Sequence, residues 1–97
     1  MPRKREAIVR GRHVSLSPTE SRFLATLAAS IPKAVSTELL LRKVWADSDA
    51  ADPDYVWVTV RRLRQKLEFD ANDPHYLVTD PAGGYRLAAW ERGGNAD

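Results

Sequence analysis

Four apolar residues, Val56, Val60, Leu63 and Leu67, recur at i, i+4, i+7 and i+11. A strand would divide them between its two faces, whereas a helix turning about 100° per residue gathers them into one stripe. With Val60 at zero, the stripe centres near about −30° and the outward direction lies near about 150°. Val58, Gln65, Arg62, Asp54 and Arg61 fall closest to that direction, Tyr55 is within reach, and Trp57, Arg64 and Lys66 flank it. A valine at the most exposed angle suits a face that meets apolar groups. A face that met only water would carry Glu or Lys there. Any fold of this chain must bury the stripe and present the opposite face.

The remaining constraints are those of size and composition. The 97 residues, 43% hydrophobic and 29% charged, describe one globular domain with a single core and no room for a deep substrate cleft. Cysteine is absent, which excludes disulfides, a thiolate zinc site and a cysteine nucleophile. The basic start Met1-Pro2-Arg3-Lys4-Arg5 is not followed by the apolar run of a signal peptide. Nowhere do about 18 apolar residues run together, so a soluble cytoplasmic protein with no membrane contact is expected. His13 and His75 lack a nearby ligand set, and Asp47-Ser48-Asp49 lacks the glycine and closing glutamate of a calcium loop. No Ser-His-Asp or paired-carboxylate arrangement has a pocket to work in, so the expectation is no metal, no cofactor and no catalysis. The net charge of +2 is small for a nucleic-acid binder, but it is unevenly placed. Residues 1–12 carry a net +4, residues 47–54 a net −4, residues 61–66 a net +4 and the remainder −2.

Around the long helix the chain is clearly punctuated. Ser17-Pro18-Thr19-Glu20 starts a helix, with Ser17 as N-cap, Pro18 where a missing N–H costs nothing, and Glu20 closing a capping box. Phe23, Leu24, Leu27 and Ala28 form its stripe, and it stops before Pro32. Ala34-Val35 makes a short bridging strand, and Ser36 caps a second helix whose apolar face is Leu40, Leu41, Val44 and Trp45, with Leu39 off the stripe. Residues 46–53 read as a loop. Before the first helix, an alternation from Ile8 to Leu16, broken at Gly11, reads as a small hairpin or one strand with an extension. After the third helix, residues 70–74 form a turn, and residues 76–79 and 85–87 flank a five-residue loop as a hairpin. The resulting division is a basic arm and short strand over 1–13, a folded domain over 14–90, and a disordered tail over 91–97. Trp45 and Tyr85 are assigned to packing, and Trp90 to covering a sheet edge.

Two helices joined by a short segment, a third helix and a hairpin outline a winged helix-turn-helix, whose last helix lies in the DNA major groove with the hairpin beside it. The motifs Leu16-Ser17-Pro18-Thr19-Glu20, Val35-Ser36 ahead of Glu38-Leu39-Leu40, and Val44-Trp45 are followed by Val60-Arg61-Arg62-Leu63-Arg64-Gln65-Lys66-Leu67-Glu68 and Gly84-Tyr85-Arg86-Leu87. Over residues 14–88 their order and spacing resemble the effector domain of OmpR/PhoB-type response regulators. The resemblance implies an α+β fold, a winged helix-turn-helix of three helices with a C-terminal β-hairpin wing. It also implies sequence-specific binding of double-stranded DNA in a bacterial two-component, phosphorelay-type regulator, with tandem copies on direct repeats. The loop that in some members touches RNA polymerase corresponds to residues 46–53, with Asp47, Asp49 and Asp52.

Three departures from the family pattern stand out. The short N-terminal stretch requires a sheet cut down to one or two strands. The wing tip Asp80-Pro81-Ala82-Gly83 has an acid where the family often has Arg or Lys, so phosphate would repel it. Trp57 stands where a small polar or acidic residue is usual. No pattern for a receiver domain is present, so the chain is either the effector part of a larger regulator or a stand-alone winged helix.

The residue roles follow from the outward face. Tyr55 and Val58 fill the groove, Arg61 anchors phosphate, Arg62 reads a base or phosphate, and Gln65 meets a base edge or the backbone. Thr59 and Arg64 are expected as flanking phosphate contacts, and Thr79, Gly83 and Arg86 as the contribution of the wing. About five neutralised phosphates would give a salt slope near −4 to −5. The rival reading is a protein-docking winged helix that uses Tyr55, Trp57, Val58 and Leu39 as an apolar surface for RNA polymerase or a sensor. RNA binding lacks the exposed aromatic platform it would need.

Overall fold

The computed structural model describes residues 6–46 and 52–88. Within them the order is β1 (Glu6–Val9), β2 (Arg12–Ser15), α1 (Pro18–Ser30), α2 (Thr37–Val44), α3 (Pro53–Leu67), β3 (Leu77–Thr79) and β4 (Tyr85–Leu87). Three helices thus lie between two antiparallel hairpins, and the winged helix-turn-helix expected from the sequence is the fold observed. Among the described residues no helix is long and apolar enough to cross a membrane.

The N-terminal sheet is shortened to one hairpin, in register from Glu6↔Ser15 to Val9↔Arg12. Its two-residue turn places both Arg10 (φ 51°) and Gly11 (φ 78°) in the left-handed region, which matches the twist of the strands it joins. Ala7, Val9 and Val14 point into the core. A division between residues 13 and 14 therefore cuts through β2. The hairpin belongs to the domain, because the alternation that buries these three side chains outweighs the basic charge that suggested a free arm. The stretches 1–5 and 89–97, with Trp90 and the tail, lie outside the described residues.

Each helix starts where its cap dictates. The Ser17 hydroxyl accepts the Glu20 N–H at 3.1 Å while the Glu20 carboxylate accepts the Ser17 N–H at 2.8 Å, completing the capping box. Ser36 caps α2 through the Leu39 N–H. Asp52 caps α3 and Pro53 is its first residue, so the loop ends one residue earlier than the sequence reading placed it. Proline is tolerated at a helix start for the reason it is excluded from the interior. Val56, Val60, Leu63 and Leu67 are each at most 1% exposed, confirming the stripe. They pack with Phe23, Leu27, Leu40 and Leu77. Leu39 is half-buried against this core, so it is not the free apolar residue its angle suggested.

The wing is tied into the body at its base. Val35 and Tyr85 exchange backbone hydrogen bonds of 2.8 and 3.0 Å, the bridging strand expected at Ala34-Val35. This crossing is so close that a Cβ on Gly84 (φ +83°) would collide with the Val35 carbonyl oxygen. Glycine is therefore required there both for its conformation and for lack of space.

Candidate nucleic-acid interface

The site grows from the way α3 is held. Its inner face is the buried stripe. At its start, Tyr55 lies 5.9 Å from Trp45, which meets Phe23 edge-on at 6.3 Å, so aromatic contacts fix α3 against α1 and the end of α2. Its outward face carries Asp54, Tyr55, Val58, Arg61, Arg62 and Gln65, all exposed. Tyr55, Trp57 and Val58 are 41%, 53% and 37% exposed, an apolar strip set among cations. Arg61 and Arg62 make no hydrogen bond or ion pair with any other described residue, and the Arg61 guanidinium rests 5.5 Å from the centre of the Trp57 ring.

Two residues expected at this face are engaged elsewhere. Thr59 is buried, and its hydroxyl donates to the Tyr55 carbonyl at 2.8 Å. It lies only about 70° from the centre of the stripe, so it faces the core and offers nothing to a phosphate. Arg64 donates through Nε to the Leu77 carbonyl and through an NH2 group to Thr79 Oγ1, both at 3.0 Å, and its guanidinium lies 5.9 Å from the centre of the Tyr85 ring. It joins α3 to the wing. Any phosphate contact it makes is secondary to that. Lys66, counted among the four cations of the helix, turns to the far side and donates to Ser15 O and to Glu20 Oε1 at 2.6 Å.

Glu20 is thus both cap residue and ion-pair partner, and it is buried. Burial raises its pKa, but the hydrogen bond and charge of Lys66 and the Ser17 N–H and hydroxyl outweigh this and hold it below the ordinary glutamate value. Glu68 plays a parallel part at the other end. Its buried carboxylate accepts the N–H groups of His75, Tyr76 and Leu77 at 2.7 to 3.2 Å. The cap role of Glu20 is legible in the sequence, but neither its pairing with Lys66 nor the part played by Glu68 is.

The wing residues separate in the same way. The Thr79 side chain accepts from Arg64. Arg86 Nε lies 3.4 Å from Asp80 Oδ1, and Asp80 Oδ2 accepts the Ala82 N–H. The acid that was expected to repel phosphate is half-buried and partnered by Arg86, so the tip is close to neutral. Gly83 is exposed with φ +108°. Asp47 and Asp49 lie outside the described residues. Asp52 uses Oδ1 to accept the Asp54 N–H at 2.8 Å. Beside α3, a groove of about 300 Å³ is lined by Trp57, Val60, Arg61, Arg64, Gln65, Ala71 and Asn72.

Comparison with known proteins agrees with this geometry. Residues 11–87 match the family described as "Transcriptional regulatory protein, C terminal". A probable transcriptional regulatory protein of Picosynechococcus is 43% identical over 87 residues, which are 89% of this chain and 34% of that protein. The transcriptional regulatory protein KdpE of Mycobacterium tuberculosis is 38% identical over 85 residues, 88% of this chain and 38% of its own. The chain spans about a third of the length of these relatives. Among solved structures, the response regulator DrrB, an OmpR/PhoB homologue of Thermotoga maritima, superposes with a TM-score of 0.73 at 32% identity, covering 81% of this chain and 36% of DrrB. The DNA-binding domain of Klebsiella pneumoniae RstA, solved in complex with the RstA box, gives 0.71 at 28%, covering 86% and 82%. The chain therefore belongs to the family of C-terminal transcriptional regulatory domains, the winged-helix DNA-binding effector modules of OmpR/PhoB-type response regulators.

Proposed function

We propose that this domain binds double-stranded DNA sequence-specifically with α3 in the major groove. Arg62 and Gln65 meet base edges, Val58 and Tyr55 meet apolar groups such as thymine methyls, and Arg61 anchors phosphate. One observation carries this reading: Arg61 and Arg62 stand exposed and without a partner among the described residues, on either side of an exposed valine. The RstA neighbour, solved with its DNA box, supports it. In this reading Gly83 is the free wing contact, since Thr79 is held by Arg64 of α3 and Arg86 by Asp80. The domain acts by binding rather than catalysis, in the cytoplasm, as the output module of a phosphorelay regulator, with tandem copies on DNA and the loop around Asp52 available to RNA polymerase.

Selection of bound sequences from a random duplex pool, followed by a salt titration, tests this. An enriched motif is expected. With Arg64 engaged internally, about four neutralised phosphates would give a slope of log K against log salt near −3 to −4, shallower than the five-phosphate count from sequence. Absence of any duplex shift at low salt, together with salt-insensitive capture of a protein partner, would overturn the reading. It would favour docking through Tyr55, Trp57 and Val58, the rival that their exposure supports.

A further inference from the structure

The flank of α3 nearest the wing is hollow. Trp57, Arg61 and Gln65 stand one turn apart along it, Arg64 lies between them and β3, and Ala71-Asn72 completes the lining of the groove. Its chemistry is two guanidinium groups, two side-chain amides and one indole. Trp57 is 53% exposed although the core beneath it is complete, with Val60 at 1%, and Arg61 is stacked on its ring. The acids of the neighbouring turn, Asp70 and Asp73, do not line the groove. Asp70 accepts the Asn72 N–H at 2.9 Å, and Asp73 lies 3.3 Å from His75 Nε2. No carboxylate lines the groove. Its volume is at the lower end of the range of about 300–1,000 Å³ that holds small ligands, which is small for a base pair.

The geometry points to a seat for one phosphodiester–deoxyribose unit of the DNA strand that passes between α3 and the wing. Arg61 takes the phosphate, the Asn72 amide is a second donor, and the apolar face of Trp57 covers the sugar. The seat rests on the DNA-binding reading and adds Trp57 and Asn72 to the contact surface. Because every nucleotide presents the same phosphate and sugar, these contacts fix register without reading sequence. The stacking on Trp57 holds Arg61 in place before DNA arrives.

The test compares Trp57→Ala, Trp57→Phe and Asn72→Asp in the whole chain, on the selected duplex and on a scrambled duplex of equal length. Thermal melting confirms that each variant is folded. Trp57→Ala is expected to weaken binding to both duplexes alike by about 3- to 10-fold. Its salt slope should stay unchanged, because no charge is lost. Trp57→Phe should retain most of the affinity, and Asn72→Asp should weaken both duplexes at least as much as Trp57→Ala. In a series of duplexes with single methylphosphonates, one position should weaken wild type and leave Arg61→Ala unaffected. Wild-type affinity in Trp57→Ala and Asn72→Asp, or a loss confined to the selected sequence, overturns the seat while wild-type binding upholds the DNA reading. If wild type binds neither duplex at low salt, the DNA reading falls and the seat with it.

Discussion

The two flanks of α3 carry the same charge to different ends. Arg61 and Arg62 are exposed and unpaired among the described residues, whereas Arg64 and Lys66, two and four residues further on, are held by Leu77, Thr79, Ser15 and Glu20. Helical period separates them. One pair falls near the outward direction, and the other lies within about 90° of the buried stripe, where the wing and the N-terminal hairpin can reach it. A run of four positive charges is therefore half exposed face and half scaffold. Counting cations overstates what a partner meets, because the inward pair is taken up in tying the wing and the N-terminal hairpin to α3.

The widest separation between the flanks is expected at Glu68. Glu68→Ala strands three backbone N–H groups at the base of the wing and should cost about 2–4 kcal/mol of stability in urea denaturation. Arg62→Ala reverses the pattern, costing about 1–3 kcal/mol in binding to the selected duplex and less than about 0.5 kcal/mol in stability. Equal losses in both measurements for either variant would erase the contrast. Lys66→Met leaves the buried Glu20 carboxylate without its cation. Because Lys66 remains 38% exposed, the loss should be about 1–2 kcal/mol, below that of a fully buried pair.

The same variant sharpens a pH effect. Glu20 titrates below its ordinary value when folded, so its contribution is fully present above about pH 4.3. It is lost as pH falls through the folded pKa, and Lys66→Met should flatten that acid limb of the stability profile. The smallest effect is on electrostatics alone. Arg61→Ala should make the salt slope shallower by about one unit, whereas Lys66→Met should leave it unchanged.

What could be read from the sequence was what local spacing encodes. The capping box at Ser17 and Glu20, the stripe from Val56 to Leu67, the Ser36 cap and the bridging strand at Val35 all depend on neighbours within a turn or on strong punctuation. The second partners were out of reach. Nothing near Glu20 announces Lys66, 46 residues away, and nothing near Glu68 shows that it will gather the N–H groups leading into β3. Thr59 is a different kind of miss, because its angle of about 70° from the stripe already placed it inward. Helical period alone separates it from Arg61 and Arg62. The N-terminal boundary does not fall at residue 13, because the buried alternation of Ala7, Val9 and Val14 runs across it and ties the hairpin to the core. Trp57 and Asn72 form one groove only once the turn after α3 has folded back, which no periodicity encodes.

The backbone exchange between Val35 and Tyr85 also bears on how the domain is made. When Val35 is made, its partner Tyr85 is still about fifty residues from being synthesised, and α2 is completed within that interval. At about 5–20 residues per second, a span of roughly 3–10 seconds passes during which that edge has no native partner. The domain closes only when the last strand arrives, so its folding is timed by its C-terminus. A nascent chain stalled or cut before Tyr85 would carry an open strand edge beside an incomplete core, a ready target for chaperones and proteases.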